Sequence, residues 1–154
     1  MPDQPMHGGP YLIAAALCEK VLREQDGVYS LIRIVDRFAV TGSWPEMPPT
    51  VIRPVMVLMM KAGVFRGVAE VQIIPRLPSG AERPAVKFAV NFEGDDDRGV
   101  VLDLQLEFLV TETGLHWFEV RLLDSLLTRV PMRVVYLPQP SIAAGTQPAS
   151  GPQS

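Results

Sequence analysis

Between Val86 and Phe92 the chain places Val86, Phe88, Val90 and Phe92 at every second position, with Lys87, Ala89 and Asn91 between them. Successive side chains of a strand point to opposite faces, so a period of two gives one face to a core and one to water. A helix would scatter the same residues around its circumference. Leu102, Leu104, Leu106 and Phe108 repeat the rhythm around Asp103, Gln105 and Glu107. This alternation predicts a polypeptide built from half-buried strands.

The remaining runs extend that reading. Val68 to Ile74 alternates less strictly and then meets Pro75, after which Leu77-Pro78-Ser79-Gly80 supplies turn residues for a hairpin into the Val86 strand. His116 to Leu122 and Thr128 to Tyr136 read as two further strands, with a turn at Asp124-Ser125 and with Pro131 marking an edge, a bulge or a strand start. In the front half, Asp26-Gly27 is a strong turn dipeptide before the β-branched run Val28 to Phe38. Leu12 to Glu24 carries three successive alanines and has helical propensity, yet as a hairpin partner it would satisfy the next strand's backbone groups. We read it as a strand. Between Ala39 and Thr50, Gly42, Pro45, Pro48 and Pro49 predict a crossover loop carrying Trp44. Val51 to Met60 is almost wholly apolar, as expected of a strand covered on both faces. The expected fold is all-β: a two-layer antiparallel β-sandwich of about eight strands, with a closed barrel as the alternative.

Composition bounds the partners. The chain has 154 residues, 47% apolar and 20% charged, which suits one globular domain. Seventeen acidic against fourteen basic side chains give a net charge of -3, so no chain-wide attraction to nucleic acid or anionic lipid is expected. The arginines are scattered along the sequence without interleaved aromatics, which argues against a nucleic-acid platform. No apolar run reaches the roughly 18 residues of a membrane span. The start MPDQPMHGGP lacks the charged-then-apolar order of a signal peptide, and the single Cys18 excludes an intramolecular disulfide framework, which together point to the cytoplasm. Residues 1–10 are expected to be a flexible leader and residues 11–137 the domain. Residues 138–154, free of charge and holding four prolines, are expected to form a disordered tail.

Two stretches carry a family resemblance. Ala16-Leu17-Cys18-Glu19-Lys20-Val21, then Asp26-Gly27, Ser30-Leu31-Ile32 and Val35-Asp36-Arg37-Phe38, resemble the opening of an uncharacterised family of small bacterial β-sandwich proteins. Gly114-Leu115-His116-Trp117-Phe118-Glu119-Val120 through Pro131-Met132-Arg133-Val134 is similar to that family's final hairpin, where an aromatic usually stands at the His116 position. Two departures are His116 itself and Asp124-Ser125, where Asp-Gly is more typical. The resemblance implies the sandwich fold and a strand at the amino terminus. The family is a domain of unknown function, so the resemblance brings no catalytic or binding residues.

Chemistry-bearing residues are sparse. His7 lies in the leader, so His116 is the one candidate imidazole base, with Cys18 as a conceivable nucleophile. The simpler reading makes His116 an aromatic-like filler and Cys18 a small hydrophobe. Asp36 follows Ile32 and Ile34 onto the apolar face of its strand, which suits an ion pair or a backbone cap. Asp95-Asp96-Asp97 is the densest charge cluster, but a solvated hairpin tip needs no ion, and the spacing lacks the alternating ligands of an EF-hand. Calcium is therefore not expected, and no catalytic, cofactor or metal residue is assigned. The expected function is a non-enzymatic binding or assembly module that uses a sheet face or edge. Its partner would be a protein or a second copy, and Trp44, Met56, Met59 and Met60 are the candidate interaction surface, because methionines adapt to varied partners. The alternative is a small enzyme or ligand carrier with a pocket at the end of the sandwich, using Asp36, His116 or Cys18.

Overall fold

The computed structural model describes residues 8–140. Among the described residues eleven strands form, β1 (Tyr11–Arg23), β2 (Tyr29–Ile34), β3 (Arg37–Gly42), β4 (Thr50–Ile52), β5 (Val55–Lys61), β6 (Gly67–Arg76), β7 (Val86–Phe92), β8 (Gly99–Gln105), β9 (Phe108–Val110), β10 (Gly114–Leu122) and β11 (Ser125–Pro138). They make a four-stranded sheet in the order β2-β1-β5-β8, a five-stranded sheet in the order β3-β11-β10-β6-β7, and the small pair β4-β9. Leu17, Met56, Leu58 and Met60 from the first sheet and Val71, Ile73, Phe92, Phe118, Val120 and Met132 from the second share one buried core. Burial of each such side chain contributes about 1.5–3 kcal/mol. The all-β sandwich expected from alternation is therefore the fold, and residues 12–24 lie in a strand or the turn that follows it.

Eleven strands replace the expected eight because three apolar runs are broken. The run from Val28 to Phe38 changes sheets. Arg33 takes a positive φ of 54°, and Val35 then donates to the Leu17 carbonyl at 2.8 Å. One residue later, the Asp36 carbonyl accepts from the Arg133 amide at 2.9 Å. The chain thus leaves β1 and joins β11 within two residues, and β3 runs parallel to β11. Ala39 to Gly42, expected in a crossover loop, belongs to this strand. The run from Val51 to Met60 breaks at Arg53-Pro54, where proline lacks the amide hydrogen a ladder needs. The run from Leu102 to Phe108 breaks where Leu106 donates to the Pro54 carbonyl at 2.9 Å, which sends β9 to pair with β4.

The expected hairpins hold for β1-β2, β6-β7 and β10-β11. The last turn falls on Leu123 and Asp124, both with positive φ, one residue earlier than expected. The acidic segment after β7 is not a hairpin tip, since β7 and β8 lie in opposite sheets. At the entry to β8, a Cβ on Gly99 would lie 1.7 Å from the Met60 carbonyl oxygen, so only glycine lets β8 approach β5 this closely. Most of the expected leader and tail lies outside the described residues. Of the remainder, the Gly8 carbonyl accepts from Val64, and β11 runs through Pro138 before Gln139 donates to the Gly42 carbonyl.

Candidate functional site

The structure separates the residues that sequence reasoning singled out. Met56 and Met60 have no exposure and lie in the core, so they offer nothing to a partner. This corrects their assignment to an interaction surface: alternation along β5 turns them inward with Leu58. Met59 is half-buried, and Trp44 stands exposed in the loop after β3. The other face of β5 is also covered, as the apolar run suggested. Val55 and Val57 join Cys18 in a second buried cluster, with Val21, Leu31 and Val101 packed against it. That cover comes from the same chain, so β5 does not call for a second copy.

Cys18, His116 and Asp36 occupy three different settings. Burial pushes the Cys18 thiol above its ordinary pKa, which a backbone hydrogen bond at Lys20 only partly offsets. His116 is fully buried on the core face of β10, edge-on to Phe108 with ring centroids 5.7 Å apart. Its Nδ1 lies 3.2 Å from the Gly114 carbonyl, and its Nε2 has no partner among the described residues. Burial lowers its pKa below 6.5, which favours the neutral ring. Asp36 is exposed at the bend between the sheets and not on an apolar face. A cleft of about 660 Å³ lies between Pro45, Glu46 and Met47, the turn at Thr111 to Gly114, and β11, but none of these three residues lines it.

In the acidic segment, Asp96 pairs with Arg66 at 2.7 Å and its carbonyl accepts from Gly63. Among the described residues no group of three or more His, Cys, Asp or Glu side chains is arranged to hold a metal ion.

Sequence reasoning missed the group that stands out in the structure. On β10, His116, Phe118, Val120 and Leu122 face the core, so Leu115, Trp117, Glu119 and Arg121 face outward. Cross-strand register places Glu119 between Ile74 of β6 and Arg129 of β11, and Trp117 between Arg76 and Pro131. Arg121 stands opposite Gln72, and Arg133 lies between Leu115 and Arg37 of β3. Glu119 is only 1% exposed although it lies on the outside of the sheet. Arginine side chains roof it. Arg76 Nε donates to Glu119 Oε1 at 2.7 Å, Arg129 Nε to the same oxygen at 3.2 Å, and Arg121 Nη2 to Oε2 at 3.3 Å. Arg76 also reaches Glu82 at 2.6 Å. The Arg76 hydrogen bond, more than burial opposes it, holds the Glu119 carboxyl below the usual carboxylate range, with Arg121 and Arg129 adding to the effect.

One carboxylate organises three guanidinium groups and leaves most of their outer N–H groups directed elsewhere. Arg129, about half exposed, uses only Nε, and with Arg76, Trp117 and Glu119 it lines an open cleft of about 490 Å³. The register puts Arg37, Arg76, Lys87, Arg121, Arg129 and Arg133 on this outer face against Glu70 and Glu119, with Glu82 also paired to Arg76, six cations against three carboxylates. No run in the sequence shows this, because the six come from five strands. The one local signal is Trp117, Glu119 and Arg121 at alternate positions on the face opposite the core.

Comparison with known protein families, with curated proteins and with solved structures finds no match. The resemblance seen in the sequence therefore rests on its own residues. What the fold and site define is a class: an all-β sandwich with a cationic outer sheet face, in which no helix among the described residues is long and apolar enough to cross a membrane.

Proposed function

We propose that the protein is a non-enzymatic binding module that docks an acidic protein segment on the outer face of its five-stranded sheet. The observation that carries this reading is the surplus of cations on that face in a chain of net charge -3. Arginine is suited to the task, because its planar fork meets carboxylates through two parallel hydrogen bonds. Glu119 fixes the inner edges of Arg76, Arg121 and Arg129, so little side-chain freedom is lost when a partner arrives. Trp117 and Leu115 add apolar contact between the charges. We also assign the module to the cytoplasm, a reading supported by the lack of a cysteine pair in the sequence.

Titration with a fluorescent deca-glutamate peptide tests it. Binding is expected at low salt and should weaken as salt rises. It should fall at least tenfold in an Arg129→Glu, Arg133→Glu double variant and stay unchanged in Arg53→Glu. Absence of binding at low salt, or equal binding by the double variant, overturns the reading.

A further inference from the structure

A separate feature lies on the side of the sandwich where β7 and β8 form the free edges of their sheets. Among the described residues β7 pairs only with β6 and β8 only with β5, and the layers are open between them. A slot of about 220 Å³ enters there and reaches the core, walled by Ile73, Val86, Leu104, Leu106, Phe108 and Phe118, with Asp103, Gln105 and Glu107 also on its lining. A second lobe of about 270 Å³ adjoins it, sharing Pro75, Val86, Glu107 and Phe108, and is lined in addition by Arg83.

Arg83 is the unusual member. Its backbone amide is fixed to the Pro75 carbonyl at 2.9 Å, so the residue is held at the groove. Its guanidinium makes one hydrogen bond, from Nη2 to Thr111 Oγ1 at 3.3 Å, and its Nε is buried without an acceptor. Glu107, which lines the same lobe, is paired with Arg53 at 3.3 Å. Arg83 thus stands beside a largely apolar cavity, and no carboxylate among the described residues is paired with it. A largely apolar cavity with a few polar groups on its lining, here Arg83, Asp103 and Glu107, is the usual form of a small-ligand site.

We propose that this slot binds a small apolar carboxylate, its hydrocarbon end against Phe108 and Phe118 and its carboxylate on Arg83. The site is distinct from the arginine face of the five-stranded sheet, since the two share none of their charged residues. The ligand's oxygens supply the counter-charge that the chain does not. The hydrocarbon end fills space walled by buried aromatic and aliphatic side chains.

Octanoate is the probe, titrated into the full chain and followed by amide chemical shifts, with octan-1-ol as the uncharged counterpart. Octanoate is expected to bind saturably with shifts centred on residues 83–86 and 104–108. Octanol should bind about tenfold more weakly, the scale of one charge-assisted hydrogen bond. Arg83→Gln should lose a similar factor, Arg83→Lys should keep most of the affinity, and Val86→Trp, at a half-exposed position on the wall of both lobes, should abolish binding. Unsaturable shifts, equal affinity for octanol, or equal affinity in Arg83→Gln would each overturn the proposal. Thermal unfolding of each variant separates loss of the site from loss of the fold.

Discussion

The two sheets each hide side chains on their outer surface, and they do so by opposite means. Outside the four-stranded sheet, Cys18, Val55 and Val57 are sealed by Val21, Leu31 and Val101. Outside the five-stranded sheet, Glu119 is sealed by the guanidinium groups and stems of Arg76, Arg121 and Arg129. An apolar roof is non-directional and indifferent to pH and salt, whereas an ionic roof depends on one proton and on screening. Near-equal burial therefore carries different consequences. One surface is closed to solutes, and the other keeps charge at hand for a partner.

The largest expected effect comes from putting a charge under the apolar roof. Val57→Asp buries an unpaired carboxylate and should cost about 3 kcal/mol in urea unfolding. A cost below 1 kcal/mol would show that this cluster is open to water. Under the ionic roof, Glu119→Gln leaves three arginines facing one another and should cost about 2 kcal/mol. Adding Arg129→Gln to that variant should recover part of the loss, although the same change alone costs about 0.5 kcal/mol. Strict additivity in that cycle would mean that Arg129 and Glu119 do not interact.

Acid should divide the two regions further. Glu119 has its folded pKa held below 4.5, so its stabilisation is present above that pH and is lost as pH falls through the lowered folded value. His116 has its folded pKa depressed below 6.5, so the unfolded chain takes up the proton first and stability declines once pH drops below 6.5. Stability curves of Glu119→Gln and His116→Phe should each flatten one window, the first below 4.5 and the second between 6.5 and the histidine's folded value. Identical profiles for wild type and both variants would refute the assignment. The smallest effect is at Cys18, whose labelling by a thiol reagent should be slow in the folded protein and should not change between low and high salt.

Much of the fold was legible because alternation is a local property. Val86 to Phe92 shows its pairing face without reference to any neighbour, and Asp26-Gly27 announces its own turn. The sheet change at Val35-Asp36 was not legible, because it is made by two hydrogen bonds to residues distant in sequence, Leu17 and Arg133. The break at Arg53-Pro54 left a signal in the proline itself, hidden within an apolar run. Trp44 was rightly seen as standing in a loop, while Met56 and Met60 were drawn into the same surface by chemistry alone. Methionine suits a core as well as an interface, and only the pairing of β5 with β1 and β8 decides between them.

From the order of residues alone came the strand content, most turns and the covered character of β5, since each depends on neighbours within a few positions. The tertiary structure alone decided that six cations from five strands share one face, that Glu119 lies beneath three of them, and that Arg83 stands by an apolar slot. Register between strands sets those meetings, and register depends on long-range hydrogen bonds and packing that no single segment encodes.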